Sequence, residues 1–278
     1  MAWTKERIAA DFIDLGVRTG DSLLVHASMR AVGPVDGGAD TVIDALLEVI
    51  GPDGTILVPA FNERNILSDS WNDSLVRSVS RASNSDIATF IEGPSREQVG
   101  VFAACLTSRE TASLSSHPSF SFAAIGKNAR FLVDGATFHY PLGSNSPLAR
   151  LHQINGGILL IGVDHTSNSA LHLAENWIDA PYARRKAIVR TVDDSTEEME
   201  GSPECSLGFA KIEPILRQAR ILRSGYVGNA PTQRMSIQHV VSMAIEMMRG
   251  NPESLLCDDP ACAACTLARK FTSKQDRG

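Results

Sequence analysis

The chain has 278 residues, of which 43% are hydrophobic and 21% charged, and 26 Lys and Arg against 32 Asp and Glu give a formal net charge of −6. This composition argues against wholesale disorder, and the scattered basic residues exclude the basic stripe that nucleic-acid binding requires. The absence of a signal-peptide pattern and of any apolar run of about 18 residues, together with five cysteines, indicates a cytoplasmic protein with neither a membrane span nor a disulfide framework.

Helical and strand patterns alternate along the chain, which predicts an α/β fold in which a mixed central sheet is layered with helices. We expect one domain over residues 1–278. In chain order the predicted elements are helix 4–15, strand 22–27, helix 39–50, strand 55–58, helix 96–106, strand 119–125, helix 127–133, helix 146–154, strand 157–163, a helix that ends near 178, strand 186–192, helix 209–220 and helix 236–249.

Two polar stretches interrupt this pattern and are expected to be loop insertions, at about 60–86 and 193–206. The first is rich in Asn, Ser, Asp and Arg and shows little periodicity. Such a stretch is typical of a binding loop and equally of a mobile surface insertion. Composition alone does not separate the two.

The clearest buried strand, GILLIGV at 157–163, runs through a polar turn into a helix that carries His172. In α/β sheets ligands bind at the carboxyl ends of strands, and Asn168 or Ser169 is a suitable N-cap for this helix. His172 then lies in or just past the first turn, where the positive end of the helix dipole favours a neutral imidazole. Glu175 follows at i+3 on the same face, so a carboxylate could orient the ring of a general base. The competing interpretation is a partly buried histidine with a structural role.

Three further signals are weaker. Asp164, His165 and His172 could be ligands of a metal-dependent hydrolase, but their spacing matches no ligand motif such as H-E-x-x-H. Residues 23–33, LLVHASMRAVG, join a strand to a polar turn whose backbone N–H groups could hold a phosphate or a pantetheine arm. The segment 115–126 begins with a His-Pro turn. Each of the last two is also explained as an ordinary loop or a packed turn.

Four cysteines form a possible metal site. Cys257, Cys262 and Cys265 have the spacing C-x4-C-x2-C, and Cys205 lies in the segment ECSLGF. Four thiolates could close a tetrahedral structural zinc site that attaches the C-terminal tail, about 255–270, to the rest of the protein. Free thiols are the competing interpretation.

Taken together, these segments resemble the aminoglycoside 3-N-acetyltransferase family over nearly the whole chain. The matching pieces, in order, are LLVHASMRAVG, GPDGTILVPAF, SHPSFSFAAIG, SPLARL, ILLIGV followed by ALHLAENW, CSLGF and the cysteine-containing tail. The resemblance implies the antibiotic N-acetyltransferase type of α/β fold, distinct from that of the common GNAT acetyltransferases. It also implies an enzyme that transfers an acetyl group from acetyl-CoA to the 3-amino group of an aminoglycoside antibiotic and so confers resistance.

The resemblance further implies roles for individual residues. His172 would be the base that takes a proton from the substrate amine. Where the family often has threonine just before this histidine, the chain has Ser169 and Ala170, of which only Ser169 offers a hydroxyl to the tetrahedral intermediate. Acetyl-CoA would be bound by residues of three segments, namely His26, Ser28, Met29, Arg30, Val32, Gly33, His117, Ser119 and Ser146.

The family usually has an acidic residue in the later loop that orients the histidine or holds the aminoglycoside, and Glu204 is the leading candidate here. We assign Glu63, Asp69 and Glu175 to the ammonium groups of the substrate. The alternatives are an acetyltransferase of the same fold for another amine, the metal-dependent hydrolase, and a binding module without catalysis. Whether the protein is a monomer or a homodimer stays open.

Overall fold

The computed structural model describes residues 2–70 and 89–275. Its helices are α1 (Lys5–Asp14), α2 (Met29–Val32), α3 (Gly38–Ile50), α4 (Arg96–Thr107), α5 (Ala129–Val133), α6 (Pro147–Gln153), α7 (Ala170–Trp177), α8 (Glu213–Gln218), α9 (Ile237–Gly250) and α10 (Ala263–Gln275). Its strands are β1 (Ser22–Ala27), β2 (Thr55–Phe61), β3 (Ile66–Ser70), β4 (Ser113–Leu114), β5 (Phe120–Gly126), β6 (Gly157–Ile161), β7 (Lys186–Arg190), β8 (Thr196–Glu200), β9 (Arg223–Val227) and β10 (Ala230–Ser236).

Seven of the described strands form the larger sheet, in the order β4-β5-β2-β1-β6-β10-β9. The three central strands β2, β1 and β6 run parallel, while β5 and β10 are antiparallel to their neighbours. The parallel strands are almost wholly apolar because helices cover both faces of the sheet. The predicted mixed sheet layered with helices is therefore confirmed.

Two hydrophobic cores lie on opposite faces of this sheet. Because successive side chains of a strand point to opposite faces, Leu24 of β1 packs in one core with residues of α6, α7 and α9. Leu23 and Val25 pack in the other core with residues of α1, α3 and α4. Burying one such side chain stabilises the fold by about 1.5–3 kcal/mol. The first core fixes α7, which carries His172, against the sheet.

A smaller antiparallel sheet, ordered β3-β7-β8, packs through Ile66, Val189 and Met199 against Phe120 of the larger sheet. This sheet shows that both stretches expected to be loop insertions contain a strand. The stretch 60–86 begins with the end of β2 and contains β3, and the rest of it from 71 on lies outside the described residues. The stretch 193–206 contains β8. Its sequence, TEEME, does not show the alternation of apolar and polar residues typical of a strand, because only Met199 is buried.

Most other predicted elements are present with ends shifted by at most three residues, but several elements were not predicted, among them the short α2 and β4. The hairpin β9–β10 was missed, although its Gly228-Asn229 turn is a hairpin signal. Helix α10 in the tail was also missed. The predicted helix 209–220 starts as a 3-10 segment, Leu207–Ile212, before α8 begins. None of the described helices is long and apolar enough to cross a membrane.

Candidate active site

A cavity opens at the carboxyl ends of β1, β2 and β6, the position that the sequence predicts for a ligand site. Its volume is about 420 Å³, and part of it is continuous with solvent. Its wall is formed by His26, Ala27, Ser28, Pro59, Phe61, Glu63, Glu97, Gln98, Val99, Gly100, Phe120, Leu142, Val163, Thr166, Ser167, Asn168, Ser169, His172, Pro203, Glu204 and Ser206.

His172 lies in the first turn of α7, on the wall of this cavity, and is buried. Its Nδ1 lies 2.7 Å from Oε2 of Glu175, and both side chains are 9% exposed. The ring packs edge-on against Phe209, with ring centroids 4.8 Å apart. When Nδ1 carries the proton that it donates to Glu175, Nε2 holds the lone pair and is the nitrogen available to accept a proton. The pair thus has the arrangement of a general base with its orienting carboxylate.

The carboxylate that contacts the histidine is Glu175 and not Glu204, so the expected orienting role of Glu204 is corrected. Glu204 is half-buried and forms an ion pair with the buried guanidinium of Arg185. Glu175 was assigned to the substrate, but its partner is His172, three residues earlier on the same helix. The spacing on α7 already placed Glu175 beside the ring. The partner of Glu204, by contrast, is Arg185, which lies in another segment of the chain.

Ser169 lines the cavity and is buried, so its hydroxyl is close to the expected site of the reaction. It stands at the N-cap position of α7 without a side-chain capping bond, while Oδ1 of Asn168 accepts a hydrogen bond from the backbone N–H of Ala170. The fully buried His165 contacts Asn168 through Nδ1 at 3.2 Å, and burial lowers its pKa.

The hydrolase alternative does not fit this geometry. Asp164 accepts hydrogen bonds from the backbone N–H and the hydroxyl of Thr166, and His165 turns toward Asn168. Within residues 2–70 and 89–275, the only His, Cys, Asp and Glu side chains gathered closely enough to share a metal ion are four cysteines. Asp164, His165 and His172 therefore do not form a metal site.

Two residues of the expected acetyl-CoA segment, His26 and Ser28, line the cavity at the end of β1. Burial lowers the pKa of His26 to about 4, so its imidazole is neutral near pH 7. The hydroxyl of Ser28 accepts a hydrogen bond from the backbone N–H of Ala31 and caps α2.

The remaining four residues of that segment lie away from the cavity wall. Met29 and Arg30 are on α2, which points Arg30 to solvent and Val32 into the core. Gly33 ends α2 with φ +87, and a Cβ there would lie 2.5 Å from the side-chain amide nitrogen of Asn229, which can move away. The glycine is thus explained by the positive φ of the turn.

His117, Ser119 and Ser146 were also expected beside the cofactor, but the structure buries them outside the cavity wall. Nδ1 of His117 accepts hydrogen bonds from the backbone N–H groups of Ser119 and Phe120, at 3.0 and 2.8 Å. Its Nε2 is therefore protonated and donates to the carbonyl of Phe138 at 3.1 Å. Burial lowers the pKa of His117 to about 4. Ser146 caps α6 by accepting from the N–H of Ala149.

Acidic side chains line the open part of the cavity. Glu63 is there as expected, and its backbone N–H donates to Oε1 of Gln98 at 2.8 Å. Glu97, at the start of α4, is a further wall residue that the sequence analysis did not single out. The side chain of Asp69 lies outside the described part of the structure.

Cys205, Cys257, Cys262 and Cys265 come together with all four sulfurs within 4.8 Å of one another. The backbone N–H of Cys257 donates to the sulfur of Cys265 at 3.3 Å, and that of Cys265 donates to the sulfur of Cys262 at 3.5 Å. The pKa of Cys205 is lowered to about 5, chiefly because Cys265 donates a hydrogen bond to its sulfur, and the same contact raises the pKa of Cys265. The thiols of this cluster therefore do not titrate independently, because the thiol of Cys265 stabilises a thiolate on Cys205.

A buried histidine–carboxylate pair beside a wide, acid-lined cavity is suited to an enzyme that takes a proton from a bound cationic substrate. The comparisons with known proteins agree. The family model of the aminoglycoside 3-N-acetyltransferases matches residues 24–249. Aminoglycoside N(3)-acetyltransferase IV from Salmonella sp is 28% identical over 252 residues, which are 90% of this chain and 89% of the relative.

Solved structures give the same result. The aminoglycoside acetyltransferase AAC(3)-IVa, crystallised as a histidine-to-alanine mutant in complex with a gentamicin, matches with a TM-score of 0.81 and 28% identity over 98% of each chain. AAC-IIIb in a binary complex with CoASH matches with a TM-score of 0.75 and 25% identity over 90% of this chain and 97% of that one. The chain therefore belongs to the aminoglycoside 3-N-acetyltransferase family, and the expected fold and enzyme class are confirmed.

Proposed function

We propose that this enzyme transfers the acetyl group of acetyl-CoA to the 3-amino group of an aminoglycoside, with His172 as the general base. The observation that carries the proposal is the 2.7 Å contact between His172 and Glu175 on the wall of the large cavity. Relatives of the family support the two substrates, since one structure holds CoASH and another a gentamicin. We further propose a cytoplasmic location, because the proposed reaction consumes acetyl-CoA.

The proposed reaction is a direct attack in a ternary complex. The substrate amine, once it has lost the proton of its ammonium form, attacks the thioester carbonyl while Nε2 of His172 takes the second proton. Glu175 stabilises the imidazolium that forms. The tetrahedral intermediate then expels the thiolate of CoA, which takes the proton from the imidazolium and leaves as CoA thiol. General-base catalysis of this kind contributes about 100- to 10,000-fold to a rate.

The acetyl-CoA side of the cavity is assigned to the end of β1. His26 is neutral and Ser28 keeps its hydroxyl proton for donation, so both can hydrogen-bond to the carbonyl or the pantetheine amides. The buried hydroxyl of Ser169 faces the same cavity and is our candidate donor to the oxyanion.

The aminoglycoside is assigned to the acidic part of the cavity. Glu63, Glu97 and Glu204 line it, and carboxylates attract the several ammonium groups of such a substrate. Glu204 is partly neutralised by Arg185, so Glu63 and Glu97 supply most of the attraction. Asp69 stays a predicted contributor.

A thiol-release assay with acetyl-CoA and gentamicin tests this function. We expect CoA release by the wild type and a fall in kcat of about 100-fold or more in His172→Ala. Absence of release with a panel of aminoglycosides would refute the proposed substrate class. Release that survives in His172→Ala would retain the transferase and refute its base.

We also propose that the four cysteines bind a structural zinc ion. Zn–S bonds of about 2.3 Å in a tetrahedron place sulfurs about 3.8 Å apart, which the cluster reaches with small movements. Backbone N–H groups already donate to two of the sulfurs, as thiolate ligands require. A Cβ on Gly208 would lie 2.2 Å from the carbonyl oxygen of Leu255, so the backbone that follows Cys205 packs directly against the backbone that leads to Cys257.

A further inference from the structure

One short segment, Gly201 to Ser206, belongs both to the cysteine cluster and to the active site. Pro203, Glu204 and Ser206 line the cavity that holds His172. Cys205 lies between them and turns its sulfur into the cluster. The cavity wall and the proposed metal ligand are therefore consecutive residues of one backbone.

The segment is fixed at its start by Arg185, the residue directly before β7. The backbone N–H groups of Gly201 and Ser202 both donate to the carbonyl of Arg185, at 2.8 and 3.0 Å. The guanidinium of the same Arg185 pairs with Glu204. Near its end the segment is held by Cys205, whose sulfur belongs to the four-cysteine cluster.

A narrow cleft separates the cluster from the catalytic pair. It is lined by His172 and Glu175 on one side and by Cys205 and Cys265 on the other. With about 20 Å³ of space, it has room for about one water molecule. No further layer of side chains separates Cys205 from His172, so a displacement of Cys205 would act directly on the lining of the cleft that they share.

We propose that metal coordination by the four cysteines holds residues 201–206 as a wall of the active site, so that the metal governs aminoglycoside binding. This inference rests on the proposed function for its substrate. Thiolate–metal bonds fix Cys205 far more rigidly than hydrogen bonds between thiols. Without the ion, Pro203 and Glu204 lose one of their two anchors.

The effect should be confined to one substrate. The residues assigned to acetyl-CoA, His26 and Ser28, are anchored by β1 at the centre of the sheet. Glu204 and Pro203 border the side that we assign to the aminoglycoside. Loss of the metal should therefore raise KM for the aminoglycoside and leave KM for acetyl-CoA nearly unchanged.

The test compares Cys262→Ser with Cys105→Ser. Cys262 is a half-buried member of the cluster, and Cys105 is a half-buried cysteine on α4 outside it. For each protein we would measure metal content, the thiolate spectrum after cobalt substitution, and hydrogen exchange at Gly201 and Ser202. Steady-state kinetics with acetyl-CoA and gentamicin complete the set.

We expect one zinc per wild-type chain, loss of it in Cys262→Ser, and faster exchange at both amides. In that variant KM for gentamicin should rise about tenfold or more and KM for acetyl-CoA by less than about twofold, while Cys105→Ser matches the wild type. If Cys262→Ser does not fold, removal of the metal from the wild type by a chelator, followed by zinc re-addition, gives the same comparison reversibly.

A wild type that holds no metal and shows no cobalt–thiolate spectrum overturns the inference. A folded, metal-free variant with unchanged exchange at Gly201 and Ser202 and unchanged KM values does so as well. If the wild type transfers no acetyl group to gentamicin, the proposed function fails, and metal content with hydrogen exchange alone decides the coupling.

Discussion

Two buried histidines, His172 and His117, differ in the hydrogen-bond partners of their ring nitrogens. His172 has a carboxylate on Nδ1 and faces a large cavity. His117 has two backbone N–H donors on Nδ1 and the carbonyl of Phe138 on Nε2, and it stacks on the Phe138 ring with centroids 5.4 Å apart.

The difference separates a chemical from a structural role. A ring whose two nitrogens are both bonded to backbone has no site left for a substrate proton. Protonation of Nδ1 in His117 would also break two hydrogen bonds at once. His172, by contrast, keeps one nitrogen for the substrate, and its carboxylate favours the cation that forms on protonation. The resemblance places both histidines at the site, His172 as the base and His117 beside acetyl-CoA, whereas the bonding of the rings supports only the first role.

The first prediction concerns the carboxylate beside His172. We expect Glu175→Gln to lower kcat about 100-fold, because the amide cannot stabilise the imidazolium and also permits the wrong tautomer. Steady-state kinetics with acetyl-CoA and gentamicin measure the effect.

Glu204→Gln is the matched control, since it removes a second carboxylate from the same cavity without touching the imidazole. It should raise KM for gentamicin and leave kcat within about threefold of the wild type. A larger loss of kcat in Glu204→Gln than in Glu175→Gln would return the orienting role to Glu204.

The second prediction concerns His117. Its replacement by alanine leaves two buried N–H groups without an acceptor, which costs about 1–3 kcal/mol each. We expect the free energy of unfolding to fall by about 2–6 kcal/mol, with kcat per folded molecule nearly unchanged. Denaturant unfolding measures the first quantity, and steady-state kinetics divided by the concentration of folded protein measure the second. A large loss of kcat in fully folded His117→Ala would place this ring in the reaction after all.

The parts of the fold that follow from sequence are those whose pattern matches their burial. β1, β6 and α7 are apolar runs or faces in the printed sequence, and the structure buries them accordingly. β8 could not be found in this way, because four of its five residues point away from the core and read as a charged loop.

The same distinction holds for the site. The i+3 spacing of His172 and Glu175 is local to one helix, so it was visible before the structure. The pairing of Glu204 with Arg185 joins residues that are apart in sequence, and no local pattern indicates it. Glu97 lies on the cavity wall in the first turn of α4, a helix that is kinked at Gly100 (φ +79) close to the end of β1. Tertiary contacts of this kind leave no periodic trace.

The smallest expected effect is the response of stability to pH. The pKa of His117 is about 4 in the folded protein and about 6.5 when unfolded. On acidification the unfolded state therefore takes up the proton first, so the contribution is complete above about pH 6.5 and is lost as pH falls toward 4. Buried His26 acts in the same direction. Between pH 7 and 5.5, His117→Ala should lose about 1 kcal/mol less stability than the wild type, because one of these two groups is absent.

The exposed His239 provides the control for this measurement. His239→Ala should follow the wild-type curve of unfolding free energy against pH, determined by denaturant titration at several pH values. If His117→Ala and the wild type gave parallel curves, protonation of the His117 ring would cost nothing on folding. The hydrogen bonds from Ser119 and Phe120 would then not keep the His117 ring neutral. The bonding of the ring nitrogens would no longer explain the difference between His117 and His172.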